Sequence, residues 1–322
     1  MTAMAGNFIY SINAVLPIIL IVVLGWLLKR FAKLSDAFCD NADWLVFKIA
    51  LPIMLFTEVS SCSLSDAPDV KMILFLVIAV TASFIVVSLL TVLFMKDREK
   101  RGAFIQGICR SNFAILGVPL AVNMFGEIGG TVIAIATPFV ILMFNAYSVV
   151  ILSVFSGDNG KKFSAKTLLG ILKNVVTNPL IIAVLLGVPF MVWNIPMPTV
   201  ATKTLGYLSG LTTPLALLSL GANFRTESLK GRVLYALTAS VSKTVVLPGI
   251  AVTAAAFAGL RGPSLGVVLI CFGAPTAVSS YIMAKKMGND HYLAGQILLL
   301  STVMCSVTIF FGIFILKTLA LI

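Results

Sequence analysis

Three basic residues stand inside long apolar runs of this 322-residue chain: Lys48, Arg110 and Lys243. A cation at such a position can hold an anion, neutralise a carboxylate or cap backbone carbonyls. At the centre of a bilayer-spanning helix it costs about 2.5–3.5 kcal/mol on insertion scales, which is why such residues mark pathways or partners. Arg110 has Asn112 two positions on, and Lys243 sits near the middle of its run, too deep to reach an interface easily. Lys48 is about four residues from the start of its own run and can snorkel to the surface. Acids to pair with these cations are scarce. Glu58 falls near the end of its run, and the other acids fall between runs. Arg110 and Lys243 are therefore expected to meet carbonyls, helix C-terminal ends, water or an anionic substrate. The lack of a deep carboxylate argues against a carboxylate proton relay.

Other polar residues complete the inventory. Asn112, Asn145 and Asn178 are the amides nearest these cations. Asn178 directly precedes Pro179, where an amide could donate to a carboxylate, while Asn145 reads as a packing residue. Ser279 and Ser280 follow Gly273-Ala-Pro275. His291, after Asn289-Asp290, reads as a solvated loop histidine. The five cysteines (Cys39, Cys62, Cys109, Cys271, Cys305) are odd in number and form no C-x-x-C pair, so neither a metal site nor a disulfide framework is indicated.

The elements that must position these residues follow from composition. The chain is 59% hydrophobic and 11% charged, against about 45–50% and 25% for a soluble domain, and its mean hydropathy is +1.08. A soluble enzyme, a disordered chain and a disulfide-stapled secreted domain are excluded; the pattern is that of an integral membrane protein. A spanning helix needs about 20 mainly apolar residues. Ten stretches qualify, at about 8–28, 44–62, 72–95, 103–125, 130–155, 168–192, 203–222, 232–259, 264–284 and 292–317. Phe8–Leu28 lacks a basic leading region and is long enough to span, so it reads as a retained helix.

The formal charge of +11 follows topology and gives no reason to invoke nucleic acid. Loops after odd-numbered spans hold Lys29, Arg30 and Lys33; Lys96, Arg98, Lys100 and Arg101; Lys161, Lys162, Lys166 and Lys173; Arg225, Lys230 and Arg232; and Lys285 and Lys286. The other face holds Lys71, Lys203, Arg261 and Lys317, a ratio of 16 to 4. The positive-inside rule places the richer face in the cytoplasm and both termini outside.

An offset of 162 residues superimposes one half on the other. Pro17 falls on Pro179, Gly25 on Gly187, Pro52 on Pro214, Leu55 on Leu217, Cys109 on Cys271 and Gly126 on Gly288. Each repeat holds five spans, an odd number, so the second half enters the membrane from the opposite side. The expected organisation is a first repeat over 1–156, a short connector at 157–167 and an inverted second repeat over 168–322. Inverted repeats recur in secondary transporters, with the site near the midplane at broken helices. Gly117 and Pro119 are expected to break the fourth helix, and Gly273 and Pro275 the ninth, because proline removes a backbone donor and clashes with the preceding turn. The two broken helices would cross at the bilayer centre and offer half-helix N-termini to an anion.

At these residues the chain resembles the auxin efflux carrier family. Asn112-x4-Gly117-x-Pro119 with Met124-Phe-Gly126 resembles the family's first crossover helix, and Asn178-Pro179 its sixth-helix motif. Gly259-Leu-Arg-Gly262, Ala274-Pro275, Ala284-Lys285 and Leu293-Ala-Gly-Gln296 with Leu300-Ser-Thr302 resemble the block around the second crossover. The resemblance covers nearly the whole chain. It implies an all-α membrane fold of ten helices in two inverted five-helix repeats, crossing at helices 4 and 9. It also implies organic-anion transport: plant members export auxin, and bacterial relatives are linked to malonate or malate. Helices 1, 2, 6 and 7 would form a scaffold that dimerises, with the other six as the moving part. Asn112 and Asn178 fall where plant carriers hold the substrate carboxylate. The long cytoplasmic loop of many plant members is reduced here to Ser156–Lys166, and Ala274 stands where the plant carriers have Leu. A short-loop bacterial-type carrier in the plasma (bacterial inner) membrane is the better match.

The expected function is secondary transport of a small carboxylate, bound by Arg110, Asn112, Asn178, Lys243, Ser279 and Ser280, without a cofactor. A proton or a sodium ion could couple to it, and neither coupling nor direction is fixed by the residues. An anion channel is the alternative, though no ring of like charges or filter motif marks one. An intramembrane enzyme would need a catalytic pair at depth that these residues do not supply.

Overall fold

The structure is a computed structural model that describes residues 17, 20–61, 69–156, 177–223 and 231–322. The first and sixth expected spans lie partly, and the connector 157–167 wholly, outside the described residues. Secondary structure among the described residues is helical, with no strand. Helix α1 covers 20–30, followed by α2 (Asp36–Leu45), a π-helical turn (Val46–Ala50) and α3 (Leu51–Ser60). Then come α4 (Val70–Phe94), α5 (Arg98–Cys109) and α6 (Phe113–Val154). The second half contains α7 (Pro179–Trp193), α8 (Thr199–Gly210), α9 (Thr212–Ala222) and α10 (Val233–Val241). A second π-helical turn (Ser242–Val246) leads into α11 (Leu247–Phe257), then α12 (Gly262–Gly273), α13 (Ser279–Lys286) and α14 (His291–Thr318).

Local chemistry sets these boundaries. Asp69 starts α4 by accepting from the Met72 N–H at 3.1 Å, and Asp290 starts α14 by accepting from the Leu293 N–H at 3.0 Å. Each satisfies a donor that the helix itself leaves orphaned. Both π turns precede a proline. Pro52 and Pro248 have no N–H to give to the fourth residue back, and the N–H just before each reaches five residues back instead, Leu51 to Val46 and Leu247 to Ser242.

Five helical segments among the described residues are long and apolar enough to cross a bilayer: Val70–Phe94, Leu120–Val154, Thr199–Ala222, Val233–Phe257 and His291–Thr318. Their outer faces carry large apolar side chains in the open, such as Phe94 (81% exposed), Leu234 (73%) and Phe257 (89%). In water such faces would drive association; against lipid tails they are at home.

Several positions related by the 162-residue offset make the same contact. A Cβ on Gly25 would run into the backbone of Leu218, and a Cβ on Gly187, its counterpart, would meet the Phe56 carbonyl and Val59. Phe56 and Leu218 are themselves 162 apart, so α1 meets α9 as α7 meets α3. Gly221 likewise lies against the backbone of Val22. Close approach through small residues is how helices associate without a hydrophobic driving force between them. Gly126 and Gly288, another offset pair, both take positive φ, at 65° and 69°. Each turns the chain from a half-helix into the following long helix, and L side chains rarely adopt that conformation.

Two sequence expectations shift. Backbone through Gly117 and Pro119 is helical, and the interruption of the fourth span lies earlier, at Arg110–Asn112, where Arg110 takes extended φ/ψ of −76° and 139°. The ninth span breaks at 274–278, beside Pro275 as expected. His291 is the first residue of α14, 4.1 Å from the Tyr292 ring and 6.1 Å from Tyr281, and is half-buried rather than a solvated turn residue.

On the loop-rich side, α2 is pinned to α13 by Lys285, whose Nζ donates to the fully buried Asp43 at 2.5 Å. Arg232 pairs with Asp290 at 2.7 Å. The backbone contact at Gly221 leaves no room to relax without separating α1 from α9. Gly221→Ala should therefore lower stability by about 1–3 kcal/mol, the usual cost of overpacking. The midpoint of thermal unfolding in detergent measures it, and Gly206→Ala, at a glycine with open space around it, serves as the control that stays near wild type.

Candidate functional site

The two interruptions touch. The Asn112 N–H donates to the Pro275 carbonyl at 2.8 Å, and Ser111 Oγ donates to the Ala274 carbonyl at 3.4 Å. Each unwound segment has lost helical partners, and each supplies partners to the other. The second segment is further held by α14, through the Thr276 N–H to Ser301 Oγ at 3.3 Å.

A cavity of about 40 Å³ lies at this crossing, space for a few water molecules. Arg110, Ser111 and Asn112 from the first break line it, with Ala277, Val278 and Ser279 from the second. Met54, Leu55 and Glu58 of α3, Thr212 and Thr213 of α9, and Ile141, Phe144 and Asn145 of α6 close the remaining sides. The start of α6 at Phe113 and the start of α13 at Ser279 both face it. These helix starts add partial positive charge to that of Arg110. Two larger grooves, of about 680 and 650 Å³, are walled mainly by apolar side chains on lipid-facing helices. Convergent polar groups mark a site better than volume does, and those are in the small cavity.

Arg110 is 4% exposed and organises the cavity. Its Nη1 donates to Met283 Sδ at 2.8 Å, and its Nη2 to Asn145 Oδ1 at 2.9 Å and Ser279 Oγ at 2.8 Å. Asn145 Nδ2 donates to the Ile141 carbonyl at 2.8 Å, which fixes the amide with its oxygen toward the guanidinium. The Nε has no hydrogen-bond partner among the described residues. The charged group in electrostatic reach is Glu58. A guanidinium solvated by neutral dipoles, beside helix N-termini and open space, is equipped to receive an anion.

The expected site residues divide. Arg110, Asn112 and Ser279 line the cavity, and Pro275 supplies the carbonyl that holds Asn112. Ser280 lies behind the break, 3.4 Å from Thr276 Oγ1, and Gly273 ends α12. Gly117 is in helical backbone, packed against Ile133 and Ile270. Asn178 is turned to its own helix, where its Oδ1 accepts the Leu180 N–H at 2.9 Å, and does not line the cavity. Lys243 does not line it either. It lies fully buried in the second π turn, within electrostatic reach of Cys109, Cys271 and Cys305, with no hydrogen-bond acceptor at Nζ among the described residues. Lys48 is exposed.

Five polar lining residues, Glu58, Ser111, Asn145, Thr212 and Thr213, do not stand out as site residues in the sequence. Asn145, which by sequence reads as a packing residue, orients Arg110, and Glu58, near the end of its apolar run, stands on the cavity wall. The spacing of Glu58 one turn after Met54 and Leu55, both lining residues, was the available signal. No group of three or more His, Cys, Asp or Glu side chains with metal-binding geometry occurs among the described residues.

Because the Lys243 amine is buried with no hydrogen-bond partner among the described residues, its burial opposes folding. Lys243→Met, which keeps the length and removes the amine, should raise stability by about 1–3 kcal/mol. Thermal unfolding reads this directly, and a loss of stability instead would reveal a partner that the amine needs.

The chain can now be set beside known proteins. The family model described as "membrane transport protein" matches residues 10–313. An uncharacterized transporter of Methanothermobacter thermautotrophicus is 27% identical over 303 residues, covering 94% of this chain and 97% of that one. An uncharacterized transporter of Methanocaldococcus jannaschii is 25% identical over 297 residues, covering 90% and 94%. With its family model matched over nearly its whole length and its helices apolar enough to span a bilayer, the chain belongs to this family of membrane transport proteins, the auxin efflux carrier family.

Proposed function

We propose that this protein is a secondary transporter of small organic anions, carboxylates first among them, which it carries by alternating access. The observation that carries the reading is Arg110, buried and held by neutral dipoles, at a cavity where two interrupted helices cross. A carboxylate there would take the guanidinium as counter-ion, with the Asn112 side chain and the starts of α6 and α13 as further donors.

The cavity walls support alternating access. On one side stand α3 and α9, from helices 2 and 7 of the inverted-repeat scheme; on the other stand α6 and the two breaks. A site shared between two packed groups changes its exposure when one group moves against the other. In this reading the protein has ten spans in two inverted repeats, 1–156 and 168–322, and both termini lie outside the plasma membrane. A dimer would form through the scaffold helices 1, 2, 6 and 7. The repeated glycine contacts and the paired turns at Gly126 and Gly288 support the repeat. An anion that crossed alone would be exported by a negative-inside potential worth about 2.3 kcal/mol per charge per 100 mV.

Thermal stabilisation of the purified protein across a panel of small mono- and dicarboxylates tests the site. A ligand at a hundred times its Kd should stabilise the fold by about 2.7 kcal/mol. The shift should disappear in Asn112→Ala and in Arg110→Gln, and persist in Asn178→Ala, whose side chain caps a helix outside the cavity. Flux in proteoliposomes should saturate with substrate, which an anion channel's would not.

A further inference from the structure

The cavity already holds a carboxylate. Glu58 is half-buried on its wall, within electrostatic reach of Arg110, and is the acid among the lining residues. The other polar lining groups, Ser111, Asn112, Asn145, Thr212, Thr213 and Ser279, are neutral. With Glu58 ionised the site has no net charge, and an incoming carboxylate would compete with it for one guanidinium in a very small space. With Glu58 protonated the site carries a single positive charge, and a bound carboxylate returns it to neutrality. Two carboxylates that share one site do not both ionise readily.

Of the elements packed against α3, α7 carries no ionisable side chain, and Lys203 and Tyr207 of α8 are exposed. Lys48 of the preceding π turn and Glu127 of α6 are exposed too. Tyr147 of α6 is bonded to Thr81 at 2.9 Å. Arg110, on the same cavity wall, is a charged group within electrostatic reach of Glu58.

Building on the carboxylate site proposed above, we propose that Glu58 is a proton-coupling residue of that site, so that an anion and a proton bind together. The proton comes from water on the side to which the cavity is open and adds to a Glu58 carboxylate oxygen. The arriving anion takes the place of Glu58 as counter-ion of Arg110. On release the anion departs, the proton leaves Glu58 for water, and the Glu58–Arg110 pairing is restored. A monocarboxylate would cross with one proton and no net charge moved by the pair, and a gradient of either species could drive the other.

The test is titration calorimetry of acetate, malonate and malate on the purified full chain, in two buffers of different ionisation enthalpy. The difference between buffers counts protons taken up per anion bound. Between about pH 6.5 and 8.5 the probes are ionised, so uptake reports the protein. Wild type should take up close to one proton per anion where Glu58 is ionised in the empty site, and its affinity should fall about tenfold per pH unit there. Glu58→Gln should bind the anion without proton uptake, its affinity changing less than twofold across the range, and Glu58→Asp should restore the uptake. Unfolding midpoints without anion confirm that each variant is folded. Binding to wild type with no proton, or uptake that persists in Glu58→Gln, overturns the assignment and leaves the anion site standing. If none of the acids binds to wild type or Glu58→Gln, the carboxylate reading itself fails, and this inference falls with it.

Discussion

Inside a bilayer every backbone N–H and C=O needs a partner within the protein, and a helix interrupted at that depth exposes several at once. Here two interruptions lie against each other, and the Asn112 N–H finds the Pro275 carbonyl across the gap. That contact is the constraint on which the rest depends. It allows both helices to be broken without a large penalty, and it brings Arg110 and Ser279 to one point. It also aims the starts of two helices at one small volume. Asn145, Met283 and Ser279 then replace the water that the guanidinium gave up. Neutral dipoles solvate the guanidinium without neutralising it, and the acid on the same cavity wall is Glu58.

Much of this was legible in the chain itself. The apolar stretches foretold the five described helices long enough to span, because a bilayer imposes a minimum length of hydrophobic sequence. The 162-residue offset pointed to Gly25, Gly187, Gly126 and Gly288, because close backbone approach and positive φ leave few alternatives to glycine. Arg110, Asn112 and Ser279 were singled out because polar groups are rare in such runs. What local chemistry dictates, a single sequence displays.

Other features depend on pairing through space. Pro119 suggested a break at its own position, yet the backbone is helical there and opens at Arg110–Asn112, where the opposite segment offers a partner. Proline marks a weak point in a helix, and the choice of where to open lies with the tertiary contact. Asn178 and Lys243 looked like site residues by type, but one caps its own helix and the other is enclosed beyond the cavity. Glu58 was discounted because distance along a helix stood in for depth. Its place beside Arg110 reflects how α3 packs at the crossing, and it reverses the expectation that no carboxylate meets the deep cations.

The central claim is that an anion binds at the crossing, on Arg110. The most direct measurement is an experimental structure with a bromine-bearing carboxylate bound, such as bromoacetate, in which anomalous scattering locates the ligand independently of the protein. The account predicts a bromine peak in the cavity bounded by Arg110, Asn112 and Ser279, with the carboxylate turned to the guanidinium. A peak beside Lys243 or Asn178, with the crossing left empty, would contradict it.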